Sequence, residues 1–193
     1  RTSETQGENQ SYSVDVSQLG GMYAEKIHLV DNGQGLGVRN AGHIGASAGS
    51  VKIDSQGKIV NEGVINGVDN IHLHTAVATN TGKIESKQGQ IDLNAKSITQ
   101  DGSVIARKGN VSLKGNVVRQ KGETIAKGRV DYDAKSIVAD KTAFIAAGVN
   151  ITEDKGKVVR TLDAAHVAGS GITLKGDNSV TMHGKQVASG NIA

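Results

Sequence analysis

Apolar residues along this chain recur in short alternating pairs rather than in helical stripes. Ile71 and Leu73 are followed by Ile91 and Leu93 and then by Val111 and Leu113, each pair twenty residues after the last, and Val51 and Ile53 precede them in phase. A second column runs Ala78, Ile98, Val118, Val138. A third runs Ile84, Val104, Thr124, Phe144, beside Glu85, Ile105, Ile125, Ile145 and the small residues Ser86, Ala106, Ala126, Ala146. Gly82, Gly102 and Gly122, with Thr142 in the fourth place, punctuate the period, as do Gly89 and Gly109. Each period therefore holds three short strand signals and their turns.

Inside each signal the apolar and polar residues alternate, as in Ile91-Asp92-Leu93-Asn94, which is the periodicity of a strand and not of a helix. A fixed period of about 20 residues made of such strands describes one coil of a solenoid, with successive coils stacked about 4.8 Å apart. The expected fold is a right-handed parallel β-helix in which Ile71, Ile91 and Val111 form one internal ladder and Leu73, Leu93 and Leu113 its neighbour. An antiparallel sandwich also has short strands and frequent turns, but it gives no register at twenty. The whole chain, 1–193, reads as a single segment of about nine coils. Residues 1–10, which lack apolar side chains, form a frayed start; 11–48 form coils with longer irregular loops; 49–146 are regular; 147–193 are looser, with a loop excursion from Glu153 to His166.

Composition sharpens this picture. The chain has 26 Gly and no Pro, Cys or Trp, and its aromatics are Tyr12, Tyr23, Tyr132 and Phe144 alone. A thin aliphatic core explains the shortage of rings, because a large ring does not fit a 4.8 Å stack (about one strand spacing) without widening the coil. Without Cys there is no disulfide framework and no thiolate ligand or nucleophile. The apolar runs fall far short of a membrane-spanning helix, so no membrane insertion is expected. Arg1 in place of an initiator Met predicts a piece of a longer protein.

The segment Leu19 to Asp54, LGGMYAEKIHLVDNGQGLGVRNAGHIGASAGSVKID, and the repeats behind it resemble the filamentous-haemagglutinin-like exoproteins of two-partner secretion systems. That family includes adhesins and the effectors of contact-dependent growth inhibition. The resemblance implies a secreted β-helical shaft, displayed on the surface of a Gram-negative bacterium and exported through an outer-membrane transporter. A target-cell receptor or an anionic glycan is the further partner it implies. The family's amino-terminal secretion domain carries an Asn-Pro-Asn motif, and this chain has no Pro. It is therefore expected to lie beyond that domain, as a spacer that holds a distal adhesive or toxin region toward its target.

The candidate chemistry is sparse, and neither a catalytic residue nor a cofactor is expected. Lys87, Arg107, Lys108, Lys114, Arg119, Lys121, Lys127 and Arg129 form the one marked charge cluster. From Arg107 to Arg129 seven cations face Glu123 alone, whereas the net charge of the whole chain is only +3. Lys87, Arg107 and Lys127 share one column, so their side chains project about 5 Å apart along an edge. Such a ladder could bind an anionic glycan; without stacking rings it does not suit nucleic acid. Lysines in turns also simply discourage edge association. His72 and His74 alternate outward beside Asp92 and Asn94, but two histidines without a third strong ligand make a poor metal site. Asp131 and Asp133, one coil above Lys114, are the only pattern pointing to a polysaccharide lyase, and solvent-facing strand carboxylates are commonplace. GQGLG at Gly33 to Gly37 reads as a turn, since it lacks the spacing and the following helix of a phosphate loop.

Overall fold

The computed structural model describes residues 11–33, 35–154, 157–162 and 170–193. Its strands are parallel except in one two-stranded hairpin, and they stack as a β-solenoid with three faces. The third face is the most regular. It consists of Gly21–Ala24, His43–Ala46, Val64–Gly67, Lys83–Ser86, Ser103–Ala106, Glu123–Ala126, Phe144–Ala147 and Lys185–Ala188, in that order. Among the described residues eight strands mark eight coils, beside the expectation of about nine, and seven spacings give about 34 Å.

The other two faces merge into one 12-stranded sheet because several strands run unbroken across their shared corner. Ile71–Asn80 and Ile91–Gln100 do so, lying on the first face before the bend at Ala76 and Lys96 and on the second face after it. The next coil breaks into Val111–Lys114 and Val117–Gln120 at Gly115. A Cβ there would lie 1.9 Å from the carbonyl oxygen of Ala95, so the coils approach too closely for any larger residue.

The internal ladders form as the period predicts. Ile71, Ile91 and Val111 are in register, as are Leu73, Leu93 and Leu113, and all are buried. The period itself is not constant. Leu113 stacks on Tyr132 and Val118 on Ile137, each 19 residues on, whereas Glu123 stacks on Phe144, 21 residues on. Four expected column members are thereby corrected. Ile137 and not Val138 continues the second column, and Val138 points outward beside Arg119. Ile145 and not Phe144 follows Thr124, Ala146 follows Ile125, and Ala147 follows Ala126. The shortening and the compensating insertion both lie in turns, where adding a residue leaves the ladders intact.

The expectation that rings are kept out of the stack also fails. Tyr132 occupies the ladder position between Leu113 and Leu174 and is only 1% exposed. Thr124, where the preceding coils carry Ile84 and Val104, supplies both room and an acceptor. The Tyr132 hydroxyl donates to Thr124 Oγ1 at 2.6 Å and also meets Gln120 Oε1. Burial pushes the phenol pKa well above its ordinary value, and the hydrogen bond with Thr124 only partly offsets this.

A polar ladder runs inside the same core. Asn40 Nδ2 donates to Asn61 Oδ1, Asn61 Nδ2 to Asn80 Oδ1, and Asn80 Nδ2 to Gln100 Oε1, each at 2.9 Å. The same amides donate across the corner to the carbonyls of Val64, Lys83, Ser103 and Glu123, which open the short strands of the third face. Two residues after each amide comes Gly42, Gly63, Gly82 or Gly102. At Gly63, Gly82, Gly102 and Gly122 a Cβ would lie 2.0–2.1 Å from the carbonyl oxygen of the glycine one coil earlier. Ala143, not Thr142, continues this column, since Glu123 pairs with Phe144. Buried amides that satisfy one another and the turn backbone fix the coil register at a corner that aliphatic side chains could not specify.

The loop excursion is a hairpin. Val149–Asp154 pairs antiparallel with Lys157–Leu162, entered through Gly148 at φ +68°, a left-handed conformation suited to glycine. Residues 155–156 and 163–166 of the expected excursion, and the frayed start at 1–10, lie outside the described residues. The hairpin packs on the outer surface of the third face, where Ile125, Ala146 and Val149 form a small second core with Phe144, Ile151 and Val187.

Candidate functional site

The outer surface of the third face divides into two halves. One outward column reads Tyr23, Gly45, Asn66, Glu85 and then Ile105, Ile125, Ala146. The apolar half is buried, with Ile125 and Ala146 packed against the hairpin strand that starts at Val149. The polar half stays open and holds a groove of about 360 Å³ lined by Ala46, Ser47, Asn66, Glu85, Lys87 and Arg107, among others.

The polar groups of this groove are held in place. Glu85, with a side chain only 13% exposed, accepts from Arg107 Nε at 2.7 Å and pairs with Lys83 Nζ at 3.2 Å. Charge-assisted bonds of this kind at low exposure fix the guanidinium more firmly than a surface pair would. One coil down, His43 Nε2 donates to Asn66 Oδ1 at 2.8 Å. The His43 ring meets Tyr23 edge to face, with centroids 5.0 Å apart at 74°. Tyr23 itself is 67% exposed.

The eight cations expected to act together fall into three places. Lys87, Arg107 and Lys127 follow the in-register ends of three successive strands and share one corner, with Lys108 and Arg129 beside it. Lys114 stands on the first face between Asn94 and Asp133. Arg119 stands on the second face between Thr99 and Val138, and with Lys121 it lines a shallow depression that also holds Asp101 and Asp140. Some of the eight are engaged by the protein itself. Arg107 is bound to Glu85, Lys127 Nζ donates to Asn150 Oδ1, and Arg129 donates to both Asp131 carboxylate oxygens and to Thr173 Oγ1. The Asp131 hydrogen bonds raise the Arg129 pKa, against the opposing effect of burial.

The remaining candidates are also placed. His72 pairs with Asp92 and His74 with Asn94 across the ladder, as the alternation predicts. Asp54 is the nearer ionic partner, lying 3.5 Å from His74 Nδ1 and 3.6 Å from His28 Nε2. Among the described residues no group of three or more His, Cys, Asp or Glu is placed to hold a metal, and no helix is long and apolar enough to cross a membrane. Asp131 and Asp133 flank the inward Tyr132, and Asp133 stacks on Lys114. A second open groove, of about 420 Å³, lies at the corner of the first two faces and includes Asp31, Asp54, His74 and Lys96. Burial raises the Asp31 pKa, but hydrogen bonds from Ser13, Ser55 and the Gly33 amide outweigh it, so the carboxylate lies below its ordinary value.

Sequence reasoning missed Tyr23, His43, Asn66 and Glu85 as a group. A signal was present: the outward column changes from polar to Ile between Glu85 and Ile105, which marks where cover begins.

Stacked parallel coils with internal aliphatic and amide ladders define this chain as a β-solenoid repeat protein. Sequence comparison agrees with the resemblance carried by residues 19–54. The chain is 49% identical over 63 residues to a protein named toxin CdiA from Yersinia pestis, a stretch that is 33% of this chain and 2% of that protein. It is 38% identical over 96 residues to tRNA nuclease CdiA of Yersinia mollaretii, covering 47% of this chain and 3% of the relative. It is 48% identical over 54 residues to tRNA nuclease CdiA-2 of Burkholderia pseudomallei, covering 28% and 2%. Over these stretches the chain is homologous to CdiA proteins, and it spans only a few hundredths of their length. The toxin and nuclease names describe those whole proteins. No family model matches the chain, and no solved structure does.

Proposed function

We propose that this chain is a shaft segment of a large secreted exoprotein of the contact-dependent inhibition type, holding a distal toxin or adhesive region toward a target cell. The observation that carries the reading is the in-register stack of eight coils, whose aliphatic and amide ladders serve stiffness. Homology to CdiA proteins over up to 96 residues supports the class. In this reading the segment is not itself catalytic, and any toxin or nuclease activity belongs to another part of the protein. Export engages an outer-membrane transporter, the mature protein stands on the outer surface of a Gram-negative cell, and a receptor on the target cell is met elsewhere along the rod. Parallel coils suit export, since each can fold on the one before it as the chain emerges.

A rod with a spacer role tolerates the loss of a whole coil but not of half a coil. Deleting Ile71 to Gln90 from the full-length protein joins Asn70 to Ile91 and places Ile91 where Ile71 had stood over Val51. Surface labelling and target-cell inhibition should both survive. Deleting Ile71 to Asn80 alone removes the first two faces of one coil and should abolish surface display. Loss of target-cell inhibition by the whole-coil deletion, with display intact, would show that these residues do more than space.

A further inference from the structure

We infer that the open half of the third face binds an acidic oligosaccharide bearing carboxylates, such as a uronic-acid oligomer. The inference goes beyond the spacer role and stands apart from it, because it concerns side chains that no ladder uses. It also moves the centre of glycan binding away from the three-part set of cations. A stacked surface needs only solvated polar groups, but here they are fixed and arranged around a hollow. Gly45 lies in register between Tyr23 and Asn66, and a Cβ there would come within 2.7 Å of Asn66 Oδ1. Its absence keeps the floor low between an exposed ring and a positioned amide.

The groups that line the groove, and Tyr23 on the open face beside it, each have a role that saccharide chemistry requires. The Tyr23 ring, braced by His43, offers a face for the C–H side of a pyranose. Asn66, whose carbonyl oxygen is occupied by His43, presents its Nδ2 group to ring hydroxyls, and Ser47 adds a hydroxyl at the rim. Of the charged residues that line the groove, Lys87 and Arg107 against Glu85 leave 2 − 1 = +1, and Lys83 pairs with the same Glu85, a balance that favours a carboxylate over a neutral sugar. Strands stacked about 4.8 Å apart let successive sugar rings meet successive coils. The groove volume of about 360 Å³ falls in the range of small-ligand sites. A single exposed ring does not make the stacking platform that single-stranded nucleic acid uses.

The test titrates this chain with tetragalacturonate at physiological salt, with maltotetraose as the neutral probe and a heparin tetrasaccharide as the sulfated one. Amide resonances of Ser47, Asn66 and Lys87 should shift with tetragalacturonate. Asn66→Asp, nearly isosteric and able to keep the His43 bond, should weaken binding at least tenfold, as should Tyr23→Ala. Lys114→Ala, on another face, should leave affinity within twofold. Unchanged urea midpoints for the groove variants separate lost binding from lost folding. Four results would each overturn the assignment: no shift with tetragalacturonate, equal binding of maltotetraose, tighter heparin binding that Asn66→Asp leaves untouched, or a Lys114→Ala effect as large as that of the groove variants. The coil deletion can succeed or fail independently of all four.

Discussion

Tyr132 shows how a single exception is accommodated in a column of aliphatic residues. Its ring replaces a leucine, and its hydroxyl needs an acceptor that leucine does not, so Thr124 and Gln120 stand where it can reach them. Tyr132→Phe should cost about 1–2 kcal/mol in urea unfolding, because Thr124 and Gln120 lose a hydrogen-bond partner while the packing stays. The pH dependence has a definite sign. The folded phenol keeps its proton above the ordinary value of 10.0, so its contribution to stability is whole below that pH and is lost as pH rises toward the folded pKa. The wild-type chain should therefore lose stability more steeply above pH 10 than Tyr132→Phe does, as checked by urea midpoints at successive pH values. An equal decline in both would show that the ring is not buried as described. In the sequence the ring lies 19 residues after Leu113, one short of the period. What the sequence could not display was that the turn had shortened by one residue, since a twenty-residue reading puts Asp133 and not Tyr132 over Leu113.

At the scale of the strand and its corner, the short alternating pairs were fully legible, because period two is a direct consequence of the pleat. The amide ladder was not. Asn40, Asn61, Asn80, Gln100 and Gln120 precede the glycine column by two residues, but polar residues next to glycine also describe any solvated turn. In the folded chain they point inward and bond one another. Asn80 lies in the middle, accepting from Asn61 and donating to Gln100 and to the Ser103 carbonyl. Asn80→Ala should destabilise by roughly 2 kcal/mol, more than the loss of a surface amide, because it strands partners on both neighbouring coils. A melting shift no larger than that of outward Asn94→Ala would mean that the ladder carries no register. The hairpin was legible in part. Its position as an excursion was visible as lost phase, and the change from Glu85 to Ile105 marks a covered column, but nothing in that column names the hairpin as its cover.

At the scale of the whole molecule, each coil touches chiefly its two neighbours, so stability should spread along the axis as a sum of interfaces rather than around one centre. That makes the response to a core charge local in a way a globular domain would not show. Leu93→Asp places an uncompensated carboxylate in the ladder between Leu73 and Leu113, a loss on the order of 4 kcal/mol. Hydrogen exchange of this variant should rise most in Ile71–Asn80, Ile91–Gln100 and Val111–Lys114, and least at Val14–Val16, several coils away. Asn94→Asp, on the outward side of the same strand, should leave every protection factor nearly unchanged. If Leu93→Asp instead accelerates exchange uniformly from Val14 to Met182, the stack unfolds as one cooperative body. The rod would then be stiff because its coils cannot part, and a coil removed from its middle would weaken the whole in proportion to the two interfaces it carried.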